Sequence, residues 1–336
     1  MTGSETVAEY RVPDDYAREY LAHASGLKLS NSSTTTYESQ LRGYVVFLHD
    51  GELSVLDAEL TDVIEFVEEC VRRGNRQSTI ESKVATISEL YKYIRLRTEA
   101  GSELSLEPLR LDEIDVSQYR MPEPIEREAL SREEVRRLFD AFDSYRNRLI
   151  AVVAVETGLR NSDLRNLRIQ DVDYDNLEIH VHDPKGSKPY DVPISEDLGF
   201  ELNHWQRHHR SGYASAEESP YVFPSQHGSK LETNGSLTQI IREAASRAGL
   251  QEVIGESQIP KQQQEELGLE SDSRQWHRVT PHTLRHSFIT LLAEADVTIS
   301  YRQLVANHAS AETTQKYTHS DNNKFEEIRG NFEVPR

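Results

Sequence analysis

The stretch from Thr280 to His319 concentrates residues suited to handling an anion. His282, Arg285, His308 and Tyr317 all fall within it. Arg285, Arg302 and Lys316 balance Glu294, Asp296 and Glu312 there, and four histidines are added, whereas the whole chain carries 57 acidic and 38 basic residues and a net charge of −19. A locally neutral, histidine-rich island in so acidic a chain reads as an anion site. A second departure lies upstream. Between Tyr145 and Gln170, Arg146, Arg148, Arg160, Arg165 and Arg168 stand against only Glu156 and Asp163. An acidic surface with a basic cleft is a coherent design, because local potential rather than net charge decides where an anion goes.

These residues need rigid elements to hold them. Leu284, Phe288, Leu291 and Leu292 mark the buried side of a helix over 282–294, and His282 and Arg285, at i and i+3, share another side. His286 points away from Arg285 and reads as a structural histidine. The apolar run RNRLIAVVAVETG predicts a helix closed by Gly158, with Arg160 just beyond it. LEIHVHD and KPYDVPI alternate apolar and polar residues with Lys185-Gly186 between them, which predicts a β-hairpin. Leu130 to Glu134 holds a capping box that opens a second domain, followed by the helix EEVRRLFDAF. Residues 197–211 and 236–249 read as helices, and the polar, Gln/Glu-rich residues 251–279 as a surface insertion.

The first hundred residues read as all-helical. A helix runs from Asp14 to Ala24. The Ser/Thr cluster before Tyr37, Leu41, Tyr44, Val45 and Leu48 caps a second helix. Thr61 or Asp62 caps a third, which stops at Gly74. Ser78 and Glu81 form a capping-box pattern before Ile80, Val84, Ile87, Leu90, Tyr91 and Ile94. The division predicted is therefore a helical domain over 1–100, a Pro-containing linker over 101–126 and a second domain over 127–336. The fold class is mainly α with a small β-hairpin or sheet.

A chain of 336 residues has room for about two domains. Apolar residues make up 36% and charged residues 28%, which fits a soluble protein with an adequate core. No apolar run is long enough to span a bilayer, and the amino terminus lacks a basic start followed by an apolar run, so a cytoplasmic protein without membrane partners is expected. The single cysteine, Cys70, sits in an apolar helical pattern and reads as a buried small hydrophobe. Lysine is scarce, 9 against 29 arginines, and with the acidic surface this points to work in salty cytoplasm.

Three boxes make the pattern specific. Thr157-Gly158-Leu159-Arg160 is followed by Asp163; Pro281 to Phe288 fits an H-x-L-R-H box; and Asn307-His308 precedes Tyr317 by nine residues. Together they resemble the tyrosine recombinase family, the phage integrases and Xer-like site-specific recombinases. The resemblance covers the second domain closely. The first is similar in layout to the family's SAM-like core-binding domain, and the second to its α+β catalytic domain. Carried over by motif, the resemblance implies Arg160 and Arg285 as the two arginines, Lys185 as the lysine of the hairpin, His282 and His308 as the two histidines and Tyr317 as the nucleophile. Asp163 takes the family's acidic position, usually structural. Asn307 departs from the glycine common before the last histidine, and asparagine is the residue that next best tolerates left-handed backbone.

The chemistry of these residue types agrees with those roles. A phosphodiester under attack gathers charge on its non-bridging oxygens, and two guanidiniums can clamp them bidentately while staying protonated. Stabilising such developing charge is usually the largest catalytic effect. A tyrosine hydroxyl, with an ordinary pKa of about 10, needs nearby positive charge and a hydrogen-bonding base, for which His282 is the candidate. His308 can donate a further hydrogen bond, and Lys185 can protonate the leaving 5′-oxygen. The resulting 3′-phosphotyrosine keeps the bond energy, so no metal, ATP or other cofactor is expected. The resemblance also implies double-stranded DNA with a specific site as partner, and a homotetramer on two such sites. Phe325, Ile328 and Phe332 are at helical spacing and suit docking on a neighbouring subunit. Lys188 is a rival for the role of Lys185. His180 and His182 share a strand face with no evident third metal ligand. A resolvase of replicon dimers, a one-protomer topoisomerase and a non-catalytic DNA-binding regulator are the competing functions.

Overall fold

The computed structural model describes residues 10–123, 127–182, 189–226, 228–258, 271, 273–295 and 297. The chain divides into two compact units, Met1–Pro124 with Ser257–Arg274, and Ile125–Glu256 with Gln275–Arg336.

The first unit is built on four helices: α1 (Asp15–Leu27), α2 (Asn31–Asp50), α3 (Leu60–Arg72) and α4 (Gln77–Arg97). Each apolar stripe faces inward, so that Leu41, Tyr44, Val45, Phe66, Ile87, Leu90 and Tyr91 are all buried in one core. Two phenols meet inside it. The Tyr44 and Tyr91 hydroxyls lie 2.8 Å apart, and Tyr91 donates to the Val55 carbonyl at 3.0 Å. Burial, the main cause, raises both above the ordinary tyrosine range and keeps them neutral. Cys70 is buried, and Lys83 Nζ approaches its Sγ to 3.3 Å.

Several boundaries differ from the sequence reading. The third helix is capped by Glu59 rather than Thr61 or Asp62; Asp62 sits at the third helical position, where its carboxylate accepts from the Glu59 N–H at 2.7 Å. The fourth starts at Gln77, so Ser78 lies inside its first turn and Arg76 takes the cap position without a side-chain cap bond. The stretch read as a linker is, in its described part, folded. Three 3₁₀ turns, Glu99–Ser102, Pro108–Glu113 and Val116–Gln118, press Leu104, Leu106, Leu111 and Val116 into the helical core. Gly101 permits this close return: a Cβ there would lie 2.6 Å from the Arg95 carbonyl oxygen, and the Gly101 carbonyl accepts from Arg95 Nη1 at 2.6 Å.

The second unit opens with the expected capping box. Ser131 Oγ accepts from the Glu134 N–H at 3.3 Å, and Glu134 accepts from the Ser131 N–H at 2.9 Å, starting α5 (Arg132–Asp140). Next, α6 (Tyr145–Thr157) is buried all round from Leu149 to Thr157, which explains an apolar run without amphipathic period. A short α7 (Asn161–Asn166) leads to three antiparallel strands in order: β1 (Val172–Asp173), β2 (Glu178–Val181) and β3 (Tyr190–Pro193). The register sets Ile179 opposite Val192, His180 opposite Asp191 and Val181 opposite Tyr190. Then follow α8 (Glu196–His204), a π turn over Trp205–His209, a 3₁₀ turn over Arg210–Gly212, and α9 (Asn234–Arg247).

Residues 251–279, read as a polar surface insertion, contain two paired strands, β4 (Val253–Gln258) and β5 (Ser273–His277). The last described helix is α10 (Pro281–Glu294). It packs along α6 through Leu284, Phe288, Leu291 and Leu292. Ser287 fixes the entry of the unit to this helix: its hydroxyl accepts from the Leu130 N–H at 2.8 Å and donates to the Thr283 carbonyl at 2.8 Å.

Candidate active site

The site is set by how α6 ends. Thr157 returns its hydroxyl to the Val153 carbonyl at 2.5 Å, and Gly158 then leaves the helix with φ 62° and ψ 18°. That left-handed conformation favours glycine. Space demands it too, because a Cβ at Gly158 would overlap the ring of Phe288 on α10. The turn buries Leu159 and delivers Arg160 as the residue preceding α7. One turn into α7, Asp163 is buried, its side chain 4% exposed.

The second arginine arrives on α10. Pro281 occupies the first helical position, where its missing N–H costs nothing, and Thr280 and Thr283 cap the helix reciprocally. His282 and His286 are exposed, whereas Arg285 is buried at 7% exposure. Arg285 Nη1 donates to the Gly158 carbonyl, the same residue whose missing side chain admits Phe288. Gly158 therefore lets α10 approach and gives its arginine an acceptor. Tyr190, the first residue of β3, buries its hydroxyl near enough to Arg285 to act on its charge.

Electrostatics bind the group together. Arg160 Nη1 and Asp163 Oδ2 are 3.9 Å apart, an ion pair too long for a hydrogen bond. Asp163 accepts from Ser162 Oγ at 3.1 Å through its other oxygen. Burial raises the Asp163 carboxyl, opposed by Ser162 and by the charges of Arg160 and Arg285. Burial pushes the Arg285 guanidinium down, as does the like charge of Arg160; Tyr190 and Asp163 oppose the shift. An arginine stays protonated in any case. Among the described residues, the two guanidiniums and the desolvated Asp163 carboxylate lie near enough to act on one another's charge.

The structure thus brings Arg160, Arg285 and Asp163 together. His282 lies one turn before Arg285 on the same helix. Lys185, its rival Lys188, His308 and Tyr317 lie outside the described residues, as do Phe325, Ile328 and Phe332. Strands β2 and β3 are in place, with Val181 opposite Tyr190 as their last pair. On the outer face of that sheet His180 is bonded through Nδ1 to Asp191, with Asp173 Oδ2 4.0 Å from Nε2. The two carboxylates lie at opposite edges of one ring, an ion-pair clamp. His182 pairs with Asp171 at 3.1 Å. The sequence reading did not assign roles to Gly158, Phe288 and Tyr190 in the site; for Tyr190 the available signal was the alternation of KPYDVPI, which turns it to the inner face with Val192.

Comparison with known proteins gives this arrangement its context. The model of the phage integrase family matches residues 128–324. The chain belongs to that family. The model of the integrase amino-terminal SAM-like domain matches residues 18–98 of this integrase-family chain. Among curated relatives, tyrosine recombinase XerA of Pyrococcus furiosus is 28% identical over 299 residues, covering 88% of this chain and 87% of the relative. Tyrosine recombinase XerD of Oceanobacillus iheyensis is 25% identical over 314 residues, covering 91% and 94%. The fold matches that of a λ integrase dimer bound to a core site, with TM-score 0.62, 14% identity and coverage of 91% of this chain and 97% of the other. It also matches XerH recombinase in a pre-cleavage complex with its difH substrate, with TM-score 0.59, 21% identity and coverage of 98% and 93%. The integrase-family protein is an enzyme of DNA strand breakage and rejoining. Among the described residues no helix is long and apolar enough to cross a membrane.

Proposed function

We propose that this protein is a site-specific DNA recombinase in which Tyr317 attacks a DNA phosphodiester to form a 3′-phosphotyrosine. Arg160 and Arg285 hold the non-bridging oxygens of the scissile phosphate, and Asp163 holds the arginines. His282 orients the nucleophile or accepts its proton, His308 adds a hydrogen bond, and Lys185 protonates the leaving 5′-oxygen. A second 5′-hydroxyl then attacks the phosphotyrosine and reseals the strand, so the energy of the broken bond is kept. The observation that carries this reading is the meeting of Arg160 and Arg285, from distant parts of the chain, around one desolvated carboxylate.

The partner in this reading is duplex DNA bearing a specific site, gripped mainly through phosphates, which position without specifying. Two such sites and four copies of the chain make the working assembly, in the cytoplasm. Tyr317→Phe should abolish covalent protein–DNA adducts on a nicked suicide substrate, read by denaturing electrophoresis, while binding measured by gel shift persists. An adduct that survives the change removes Tyr317 from the mechanism.

A further inference from the structure

Arg165 belongs to the basic run between Tyr145 and Gln170, yet its donors are spent inside the unit. Its Nε donates to Asn161 Oδ1 at 2.9 Å, its Nη1 to the carbonyls of Leu231 at 2.9 Å and Glu232 at 2.7 Å, and its Nη2 to Asn234 Oδ1 at 2.8 Å. One planar fork thus makes four bonds. Beside it, Asn161 Nδ2 donates to the Asn234 carbonyl at 3.3 Å. All of these bonds join α7 to the segment that enters α9, or brace the residues that do so. The two helices differ in what else holds them. α9 buries Leu237, Ile241, Ala244 and Ala245, and Thr233 caps it by accepting from the Ser236 N–H at 3.2 Å. α7 has only 6 residues, and Arg160 at its cap position makes no side-chain cap bond. So short a helix does not hold its shape alone and depends on tertiary ties.

We propose that Arg165 is a positioning residue for the reaction: it ties α7 to the entry of α9 and thereby fixes Arg160, which precedes α7, and Asp163, which lies one turn into it. Asn161 directly follows Arg160, so the tie reaches the residue next to that arginine. The four acceptors are two backbone carbonyls and two side-chain amides, all neutral, so the helix is held without a further carboxylate to cancel the charge of Arg160. A lysine cannot replace this fork, because one ammonium nitrogen does not reach four acceptors spread over a guanidinium. The rival role for an arginine in a basic run is a direct grip on a DNA phosphate, and the bonds to Asn161, Leu231, Glu232 and Asn234 argue against it. The inference rests on the reading of Arg160 as a phosphate clamp, and the tests below separate the two. The Leu164 N–H, which donates to the Arg160 carbonyl at 3.0 Å, reports on α7 directly.

Arg165→Lys keeps the charge and removes the fork. Adduct formation at saturating suicide substrate should slow roughly tenfold per folded molecule, while DNA affinity and its salt dependence hold, because a misplaced clamp costs rate rather than binding. Full activity in Arg165→Lys, with Arg165→Gln instead weakening binding and lowering the salt slope by about one, would make Arg165 a phosphate contact and overturn the proposal. A loss of stability with an unchanged adduct rate per folded molecule would make it a purely structural staple and overturn it too. Asn234→Ala removes one acceptor only, for the case that Arg165→Lys folds poorly. It should slow adduct formation by a smaller factor, and in the Arg165→Lys background it should cost nothing further. Multiplicative losses in the double variant would count against the tie. A second readout does not depend on activity. Hydrogen–deuterium exchange of the Leu164 amide should quicken roughly tenfold in Arg165→Lys as α7 loosens. An unchanged Leu164 amide would overturn the proposal whether or not the enzyme is active. A wild-type protein that forms no adduct would refute the phosphate clamp, and the Leu164 amide would still decide whether Arg165 holds α7.

Discussion

Two buried arginines in the second unit are used in opposite ways. Arg210, 8% exposed, closes the segment that follows α8: its guanidinium donates to the carbonyls of Ala216 at 2.8 Å, Ser219 at 2.5 Å and Tyr221 at 2.9 Å. Only burial lowers its pKa. Arg285, 7% exposed, donates to the Gly158 carbonyl and stands beside another guanidinium, whose charge adds to the effect of burial. Burial alone does not tell a staple from a site. The neighbours do: Arg210's donors are satisfied by backbone carbonyls, while Arg285 shares its surroundings with a charge of the same sign. The second arrangement is costly unless something anionic enters.

The sharpest way to break this contrast is to exchange the losses. Arg285→Ala should reduce adduct formation by about 10²–10³-fold with little change in the denaturation midpoint, as expected when a donor to developing charge is removed. Arg210→Ala should do the reverse. It leaves three carbonyls without their donor and should cost about 3 kcal/mol of stability, while adduct yield per folded molecule holds. Chemical denaturation and adduct assays on both variants decide it. Equal loss of stability in the two would end the distinction.

Gly158 sharpens the same comparison, because it serves the site through its shape. Gly158→Ala combines an unfavourable positive φ with overlap on Phe288, and should destabilise by about 2 kcal/mol or more. Adding Phe288→Leu should restore part of that, since a side chain can be trimmed. No such partner exists for Gly101→Ala, where the obstruction is the α4 backbone. Melting curves of the single and double variants test both statements.

Smaller effects follow from titration. Asp163 has a raised carboxyl in the folded chain, so its contribution to stability is full below the unfolded value and is lost as pH rises through the folded value. At neutral pH the charged form is therefore a burden. Asp163→Asn should gain up to about 1 kcal/mol of stability near pH 7, a gain that vanishes toward pH 4, while adduct formation falls. His180 is smaller still. Asp191, the main cause, raises the His180 pKa, so the stabilising pair is complete below about pH 6.5 and fades as pH rises through the folded value. The group is partly exposed and screened, and the effect should be a few tenths of a kcal/mol. His180→Asn should flatten the dependence of the melting midpoint on pH between about pH 6 and 8.

What the sequence disclosed was local. The Ser131 box, the glycine that closes α6 and the apolar stripe Leu284, Phe288, Leu291 and Leu292 of α10 are each decided within a few residues, and they are read correctly. The failures share a cause. Residues 101–118 have no helical or strand period because 3₁₀ turns impose none, and their burial comes from α4, which no local pattern records. The strands Val253–Gln258 and Ser273–His277 are polar, so backbone pairing fixes them without an apolar signature. Tyr190 was one of fifteen tyrosines. Its nearness to Arg285 comes from the fold across the sheet, and the alternation of KPYDVPI gave only the inward direction.

The bond from the Leu130 N–H to the Ser287 hydroxyl provides a spectator for the helix that carries Arg285. That proton is shielded by a residue in the middle of α10, far along the chain, so it meets solvent only when the helix lifts away from the entry of the unit. Its hydrogen–deuterium exchange clocks how often the arginine's platform opens, without a label, a substrate or a mutation in the site. If DNA tightens the platform, this one amide should slow before any strand is cut.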